Sequence, residues 1–188
     1  MKRLDYPFTK EQIRELKVGD MVLISGKMFT GRDAVHKRLH EGTKPPVDLN
    51  NQIIYHCGPV VLENKDGTYE VKAAGPTTSI REEPYQWEVM RDHGILGVIG
   101  KGGMGQKTLD GCREYGCVYF HGIGGAAQVL AEKIKSVDNV YWRDLGSPEA
   151  IWELTVEEFP VVVTMDAHGN SLHAKVEADS AEILKGLV

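Results

Sequence analysis

Residues 95–134, ILGVIGKGGMGQKTLDGCREYGCVYFHGIGGAAQVLAEKI, carry the clearest fold signal in this chain. Short apolar runs alternate here with glycine-containing loops and longer amphipathic segments. The pattern predicts strand Ile95–Ile99, helix Gln106–Tyr115, strand Cys117–Phe120 and helix Ala126–Ile134. Because a strand–helix–strand–helix order connects parallel strands, we expect these two strands to pair in parallel.

The flanking segments extend this pattern without a linker or an internal repeat. Near the N-terminus, Thr9 and Gln12 have the spacing of a helical capping box. The other predicted helices are Thr9–Leu16, Arg32–His40, 84–93, Pro148–Leu154 and a C-terminal helix, and the other predicted strands are Met21–Ile24, Ile53–Tyr55, Thr68–Ala73, Val140–Trp142, Phe159–Met165 and Ser171–Val176. The expected fold class is therefore α/β, with residues 1–188 forming a single layered domain around a mixed sheet.

Composition and charge exclude several classes of protein. The chain has 188 residues, of which 41% are hydrophobic. This is enough to form one sizeable hydrophobic core, but the chain is too short for two well-packed domains. With 22 Lys and Arg against 27 Asp and Glu, the formal charge of −5 argues against a general binder of nucleic acid or anionic membranes. No apolar run approaches the roughly 18 residues of a membrane span. An odd number of cysteines without a secretory signal indicates reduced thiols and a cytoplasmic location.

Four loops present glycine beside polar or cationic groups. Open α/β sheets place their ligands in loops at the carboxyl ends of strands. The four are Ser25–Gly31 followed by Arg32, Gly75–Ser79 followed by Arg81, Gly100–Gly105 with Lys101, and Gly122–Gly125. A guanidinium or ammonium group in such a loop is suited to a carboxylate or a phosphate.

Each loop also has a purely structural interpretation. Arg32 can be a solvated surface residue beside Asp33, which then caps its own helix. The hydroxyls of Thr77 and its neighbours can satisfy their own backbone. For Gly122–Gly125 the safer interpretation is close packing between a helix and a strand.

The loop Gly100–Gly105 matches G-x-G-x-x-G, the motif of dinucleotide-binding folds. A dinucleotide site also needs an acidic residue at the end of the next strand, to hold the ribose. The next strand instead runs into His121–Gly125, which contains no Asp or Glu. We therefore discount a nicotinamide cofactor and retain an anion-binding loop with Lys101 beside a helix start.

The three cysteines are poorly spaced to act together as ligands of a metal ion or cluster. Cys112 and Cys117 are close in sequence, but only Cys57 remains to join them. An iron–sulfur cluster normally needs at least three thiolates at characteristic spacings. Buried, inert thiols are the expected state of all three, and no metal site is predicted in this chain.

Two arginines and one lysine on these loops suit a small dicarboxylate, because each carboxylate needs a cation. Arg32, Arg81 and Lys101 are the candidate anchors, and His36 is the one histidine placed near them. The set contains no strong base and no electrophile. As a catalytic site it is incomplete.

At these same loops the sequence resembles the β subunit, or C-terminal domain, of the iron–sulfur hydro-lyases, the class I fumarate hydratases and L(+)-tartrate dehydratases. The similarity extends in family order over nearly the whole chain. The matching stretches are Ile24–Leu39, Ile54–Pro59, Ala74–Arg81, Ile99–Met104, and Phe159–Pro160 before Asp166–Asn170.

The resemblance implies a swivelling β/β/α fold and a [4Fe–4S] cluster carried by a separate α subunit. It makes Arg32, Arg81 and Lys101 the substrate-binding residues and Thr77 the catalytic hydroxyl for proton transfer. A chain of this length that starts at its own Met then resembles the stand-alone β subunit, expected in an α2β2 assembly and inactive without its partner. The implied reaction is the reversible hydration of fumarate to malate, with no nucleic acid or membrane involved.

Three alternatives stay open from the sequence. L(+)-tartrate is also a four-carbon dicarboxylate, so the substrate is not decided. A non-catalytic dicarboxylate- or phosphate-binding module needs a complete pocket from this chain alone. A nucleotide-binding domain rests on the glycine loop and lacks the expected acidic residue.

Overall fold

The computed structural model describes residues 1–187, in which nine strands are interspersed with six α-helices. The strands are β1 (Lys2–Asp5), β2 (Met21–Thr30), β3 (Ile53–Tyr55), β4 (Val60–Glu63), β5 (Tyr69–Ala73), β6 (Gly97–Gly100), β7 (Val118–His121), β8 (Ile134–Tyr141) and β9 (Ile151–Met165). The helices are α1 (Lys10–Arg14), α2 (Asp33–His40), α3 (Glu83–His93), α4 (Gln106–Tyr115), α5 (Ala127–Glu132) and α6 (Leu172–Lys185).

Seven strands form one mixed sheet in the order β1-β2-β3-β6-β7-β9-β8, and β4 and β5 form a separate hairpin. The strands β1, β2, β3, β6 and β7 pair in parallel, whereas β9 is antiparallel to β2, β7 and β8. Because β9 pairs with both β2 and β7, the pairings close a ring of five strands. The expected mixed α/β sheet and the parallel pairing of β6 with β7 are confirmed.

The central strands are buried on both faces, which explains their continuous apolar sequences. In β3, Ile53 and Tyr55 belong to one hydrophobic cluster, and Ile54 belongs to the other. In β7, Phe120 belongs to the first cluster and Tyr119 to the second. The second cluster also contains apolar side chains of α2, α3 and α4, so these three helices cover that face of the sheet.

The helix ends follow local chemistry. The predicted capping box is present: the Gln12 N–H donates to Thr9 Oγ1 at 3.3 Å, and the Thr9 N–H donates to Gln12 Oε1 at 2.9 Å. Helices α3 and α4 end at Gly94 and Gly116, both in the left-handed conformation that favours glycine. Within residues 1–187, no helix combines the length and apolar character that a membrane crossing requires.

Three predicted elements are wrong, and long-range strand pairing explains two of them. Ser25–Gly31 is not a loop, because β2 continues to Thr30 and stays paired with β9 across a bulge at Gly26. Pro148–Leu154 is not a helix, because β9 begins at Ile151 and pairs with β8 and β2. Ser171–Val176 is not a strand: the Ser171 hydroxyl accepts the Ala174 N–H at 3.3 Å and starts α6.

Two histidines are buried inside this architecture. His36 of α2 and His56, which follows β3, are both 0% exposed, and their rings meet edge-to-face with centroids 4.9 Å apart. Burial lowers the pKa of His36 to about 4 and holds that of His56 well below its usual value. Both imidazoles are therefore neutral at neutral pH.

Acid is expected to destabilise the fold through these histidines. Below a pH of about 6.5 the unfolded chain binds protons that the folded chain does not take up until about pH 4, so the free energy of unfolding falls as the pH drops. We expect His36 alone to account for a loss of about 2 kcal/mol between about pH 7 and about pH 5. Urea unfolding at the two pH values measures it.

The variant His36→Gln removes this titratable group and should lose about 2 kcal/mol less than the wild type on the same acidification. His40→Gln changes an exposed histidine on the same helix and serves as the matched control. An unchanged pH dependence in His36→Gln would show that the acid sensitivity arises elsewhere.

Candidate functional site

The loops after β2, β3, β6 and β7 lie at one edge of the sheet, because these strands are parallel and end together. We call this the carboxyl edge. Arg32, His56 and Lys101 each follow one of these strands within two residues. Parallel pairing therefore accounts for the assembly of candidate residues that are distant in sequence.

Thr77 reaches the carboxyl edge through a segment that crosses it. The Thr77 N–H donates to the His56 carbonyl at 2.7 Å, and the Lys101 N–H donates to the Thr77 carbonyl at 3.2 Å. The Ser79 N–H then donates to the Lys101 carbonyl at 3.0 Å. Residues 77–79 are thus held between the loops after β3 and β6, and Thr77 lies beside Lys101 with its side chain partly exposed.

The Lys101 ammonium is available to an external anion. Within residues 1–187, no carboxylate lies within 4.0 Å of its nitrogen. Gly102 and Gly103 follow it with φ of +79° and +82°, a conformation that turns the chain sharply and favours glycine. The partly buried side chain is held on this tight loop at the carboxyl edge.

An internal carboxylate already occupies the start of α4. Glu83 accepts the N–H groups of Gly105 at 2.8 Å and Thr108 at 3.2 Å, together with the Thr108 hydroxyl. Two N–H groups at this helix start, those of Gly105 and Thr108, are therefore already occupied by a side chain of the protein. In this loop the Lys101 ammonium, unlike the N–H groups of Gly105 and Thr108, has no internal carboxylate within 4.0 Å in residues 1–187.

Arg32 is positioned by a second internal carboxylate. Its Nε lies 3.3 Å from Oε1 of Glu149, and the other oxygen of Glu149 accepts the Ala34 N–H at 3.1 Å. The guanidinium passes over Gly58, where an added Cβ would lie 2.7 Å from Nη1. Only glycine at position 58 leaves room for this placement, and Arg32 is fixed rather than freely solvated.

Arg81 pairs with Asp33, the residue after Arg32, and thereby links the turn Ser79–Glu82 to the start of α2. The Arg81 side chain remains 56% exposed. Burial raises the pKa of Asp33, but a hydrogen bond with Glu82 and the charge of Arg81 outweigh that effect and lower it overall. Asp33 is consequently the ionised partner of Arg81 and not simply a cap of its own helix.

Glu82 is the residue that sequence reasoning missed. Its side chain is 0% exposed, and neither carboxyl oxygen meets an N–H or O–H donor. Burial and the neighbouring Asp33 raise the pKa of Glu82 to about 8. No local sequence pattern marks Glu82, because its burial depends on how α2 and α3 pack together.

A chain of hydrogen bonds between buried, uncharged side chains lies beneath residues 77–79, on the side away from solvent. The Ser79 hydroxyl lies 2.9 Å from Nδ1 of His56 and 3.0 Å from the Tyr119 hydroxyl, while Nε2 of His56 lies 2.9 Å from Oε1 of Gln86. An added Cβ at Gly100 would lie 1.7 Å from the Ser79 oxygen. His36, the one histidine that the sequence placed near these loops, packs against His56 in this layer and is fully buried.

The loop Gly122–Gly125 packs closely, but against the end of β6 and Pro76 rather than between a helix and a strand as the structural interpretation predicted. The Gly122 N–H donates to the Gly100 carbonyl at 2.7 Å, and an added Cβ at Gly122 would lie 3.4 Å from Pro76. Gly124 lies against the Lys101 stem, where an added Cβ would be 3.8 Å from Cδ. This loop therefore shapes the surroundings of Lys101 through close packing.

The cysteines do not fit a metal cluster held by this chain. All three are buried free thiols, and Cys57 belongs to a different core cluster from Cys112 and Cys117. Burial raises the pKa of the Cys57 and Cys117 thiols to about 12 and that of Cys112 well above its usual value, whereas metal ligands must be thiolates. Among residues 1–187, no three Cys, His, Asp or Glu side chains are grouped to hold a metal ion.

Three relatives give this geometry a family context. A protein of Geobacillus stearothermophilus, assigned as a fumarate hydratase class I, is 60% identical over 181 residues, which are 96% of this chain and 35% of that protein. A protein of Methanocaldococcus jannaschii, assigned as an L(+)-tartrate dehydratase subunit beta, is 42% identical over 194 residues, covering 98% of this chain and 99% of the relative. The L(+)-tartrate dehydratase subunit beta of Escherichia coli K12 is 39% identical over 176 residues, covering 93% and 87%.

The chain thus spans about a third of the first relative and nearly the full length of the second. A family model described as Fumarase C-terminus matches residues 2–176, a range that includes the whole carboxyl edge. This chain belongs to the Fumarase C-terminus family.

Proposed function

We propose that this chain is the β subunit of a two-chain iron–sulfur hydro-lyase that reversibly hydrates fumarate to malate. The observation that carries the proposal is the carboxyl edge, where Thr77 is hydrogen-bonded through its backbone to Lys101, whose ammonium has no carboxylate partner within residues 1–187. The relative assigned as a fumarate hydratase supports this reaction. L(+)-tartrate dehydration is the second candidate, supported by two beta-subunit relatives that match over most of their own length.

Three cations would bind the substrate carboxylates. Lys101 offers an ammonium group that no carboxylate of residues 1–187 pairs with at the carboxyl edge. Arg32 and Arg81 pair with Glu149 and Asp33, yet a guanidinium has five N–H donors and these pairs leave several of them available. The internal carboxylates therefore orient the two arginines without using up their capacity to hold a dicarboxylate.

Thr77 would be the hydroxyl that takes part in proton transfer. Its backbone is fixed by hydrogen bonds on both sides, to His56 and to Lys101, which holds this residue at the carboxyl edge. A positioned hydroxyl can deliver or remove a proton when a neighbouring group shifts its pKa. The backbone of Lys101 is hydrogen-bonded to Thr77, and a positive charge close to a hydroxyl favours its alkoxide form.

We propose that the [4Fe–4S] cluster is held by an α subunit, since the thiols of this chain do not fit it. An open iron of that cluster would supply Lewis-acid chemistry at the substrate hydroxyl. The proposed assembly is α2β2 in the cytoplasm, where free cysteines such as these stay reduced. We further propose that residues 1–188 form one domain of the swivelling β/β/α type, which the closed mixed sheet and the helices on one face support.

The proposed function is tested by an anaerobic assay with fumarate, malate and L-tartrate. We expect no activity from this chain alone and activity when it is co-expressed with a cluster-bearing partner, with the preferred substrate separating the two candidate reactions. Dicarboxylate binding by the isolated chain, with no turnover in any pairing, would instead support a non-catalytic binding module.

Thr77→Ala should reduce kcat by about 100-fold or more and change KM much less, because it removes a proton-transfer group and no charge. Thr78→Ala is the matched control, since it deletes the neighbouring exposed hydroxyl. Steady-state kinetics of the assembled enzyme measures both. Near-normal turnover in Thr77→Ala would remove this residue from the mechanism.

Lys101→Ala should raise KM by about 30-fold or more, because a substrate carboxylate loses its cation. Lys107→Ala provides the control: it removes an exposed lysine of α4 that pairs with Glu88. The comparison uses initial rates at several substrate concentrations. Equal KM values for the two variants would show that Lys101 does not bind substrate.

A further inference from the structure

The carboxyl group of Glu82, which is fully buried, lies against that of Asp33, whose side chain is 31% exposed, at the start of α2. They lie within hydrogen-bonding reach of each other, yet Oδ1 of Asp33 and both oxygens of Glu82 meet no N–H or O–H donor. Two ionised carboxylates only accept hydrogen bonds, so they cannot bond to each other. The contact requires a proton, and Glu82, which is 0% exposed, is the better place for it.

The charged surroundings of the pair favour this assignment. Arg81 donates to Oδ2 of Asp33, which keeps Asp33 ionised. The other titratable groups nearby are neutral, because burial lowers the pKa values of His36 and His56 and raises that of Tyr119 to about 12. The other titratable side chains of α2 and α3 pair or pack elsewhere, except His93, whose pKa is lowered by burial. The contacts are Lys37 with Glu41, Arg38 with Asp144, His40 against Tyr85, Glu83 with Thr108, Glu88 with Lys107, and Arg91 with Asp92.

We propose that Glu82 is a positioning residue whose protonated carboxyl donates to Asp33 and thereby holds Asp33 against the guanidinium of Arg81. In this arrangement Glu82 donates to Oδ1 of Asp33, and Arg81 donates to Oδ2 of the same carboxylate. Arg81 is thus oriented through two linked carboxyl groups rather than by a single exposed ion pair. The consequence for substrate binding rests on the proposed function, in which Arg81 binds a substrate carboxylate.

The arrangement has a defined pH dependence. The pKa of Glu82 is raised to about 8, so the proton is present at neutral pH and is lost as the pH rises through that value. Two negative charges then face each other without a proton between them, and the orientation of Asp33 and Arg81 is lost. KM should consequently rise on the alkaline side of about pH 8, while a neutral donor at position 82 should prevent that rise.

Two measurements on the full chain test the pair without any enzymatic activity. Infrared spectroscopy should show a protonated carboxylic acid at neutral pH that disappears with a midpoint near pH 8 and is absent in Glu82→Gln. The NMR signals of the Arg81 guanidinium should broaden over the same range in the wild type. In Glu82→Gln they should stay sharp, because the amide N–H donates to Asp33 at every pH.

The third measurement is the pH profile of KM in the assembled enzyme. The wild type should show the alkaline rise, and Glu82→Gln should not. Glu88→Gln, which removes a carboxylate elsewhere on α3, is the control and should follow the wild type.

Absence of the carboxylic-acid band at neutral pH would overturn the proposal. So would a Glu82→Gln variant whose Arg81 signals and KM follow the wild-type pH curve. If no pairing of chains turns over a dicarboxylate while the infrared and NMR results appear as expected, the proposed function fails and the positioning role of Glu82 is supported.

Discussion

The rest of the structure depends on the double pairing of β9. Val162 is the register partner of Met21 on β2 and of His121 on β7, so one antiparallel strand joins two strands that are far apart in the parallel series. Without it, β7 would present an unpaired edge. The closure fixes where β2, β3, β6 and β7 end, and it therefore fixes the relative positions of the loops that carry Arg32 and Lys101.

Charge at the carboxyl edge is organised by internal carboxylates. Glu149 occupies the start of α2 and orients Arg32, Glu83 occupies the start of α4, and Asp33 holds Arg81. Backbone N–H groups at helix starts normally attract anions, and here the protein supplies those anions itself. Among the cations at this edge, Arg32 and Arg81 each pair with a carboxylate, whereas Lys101 is without such a partner in residues 1–187.

Local features of the sequence predicted much of the fold. The bounds of α4 and the capping box at Thr9 depend on neighbouring residues and were predicted correctly. The course of β9 was not, because a strand that starts at Ile151 is stabilised by β2 and β8 rather than by its own sequence. The candidate loops followed from strand ends and family resemblance, whereas the pairing of Asp33 with Glu82 depends on tertiary packing that no local pattern encodes.

We propose that the carboxyl edge of this chain holds the substrate carboxylates. The decisive measurement is a crystal structure of the assembled two-chain enzyme with bound malate, prepared without oxygen. We expect a substrate carboxylate within hydrogen-bonding distance of Nζ of Lys101, with Thr77 beside the bound molecule. A structure in which the partner alone contacts both carboxylates, with Lys101 facing solvent, would contradict it.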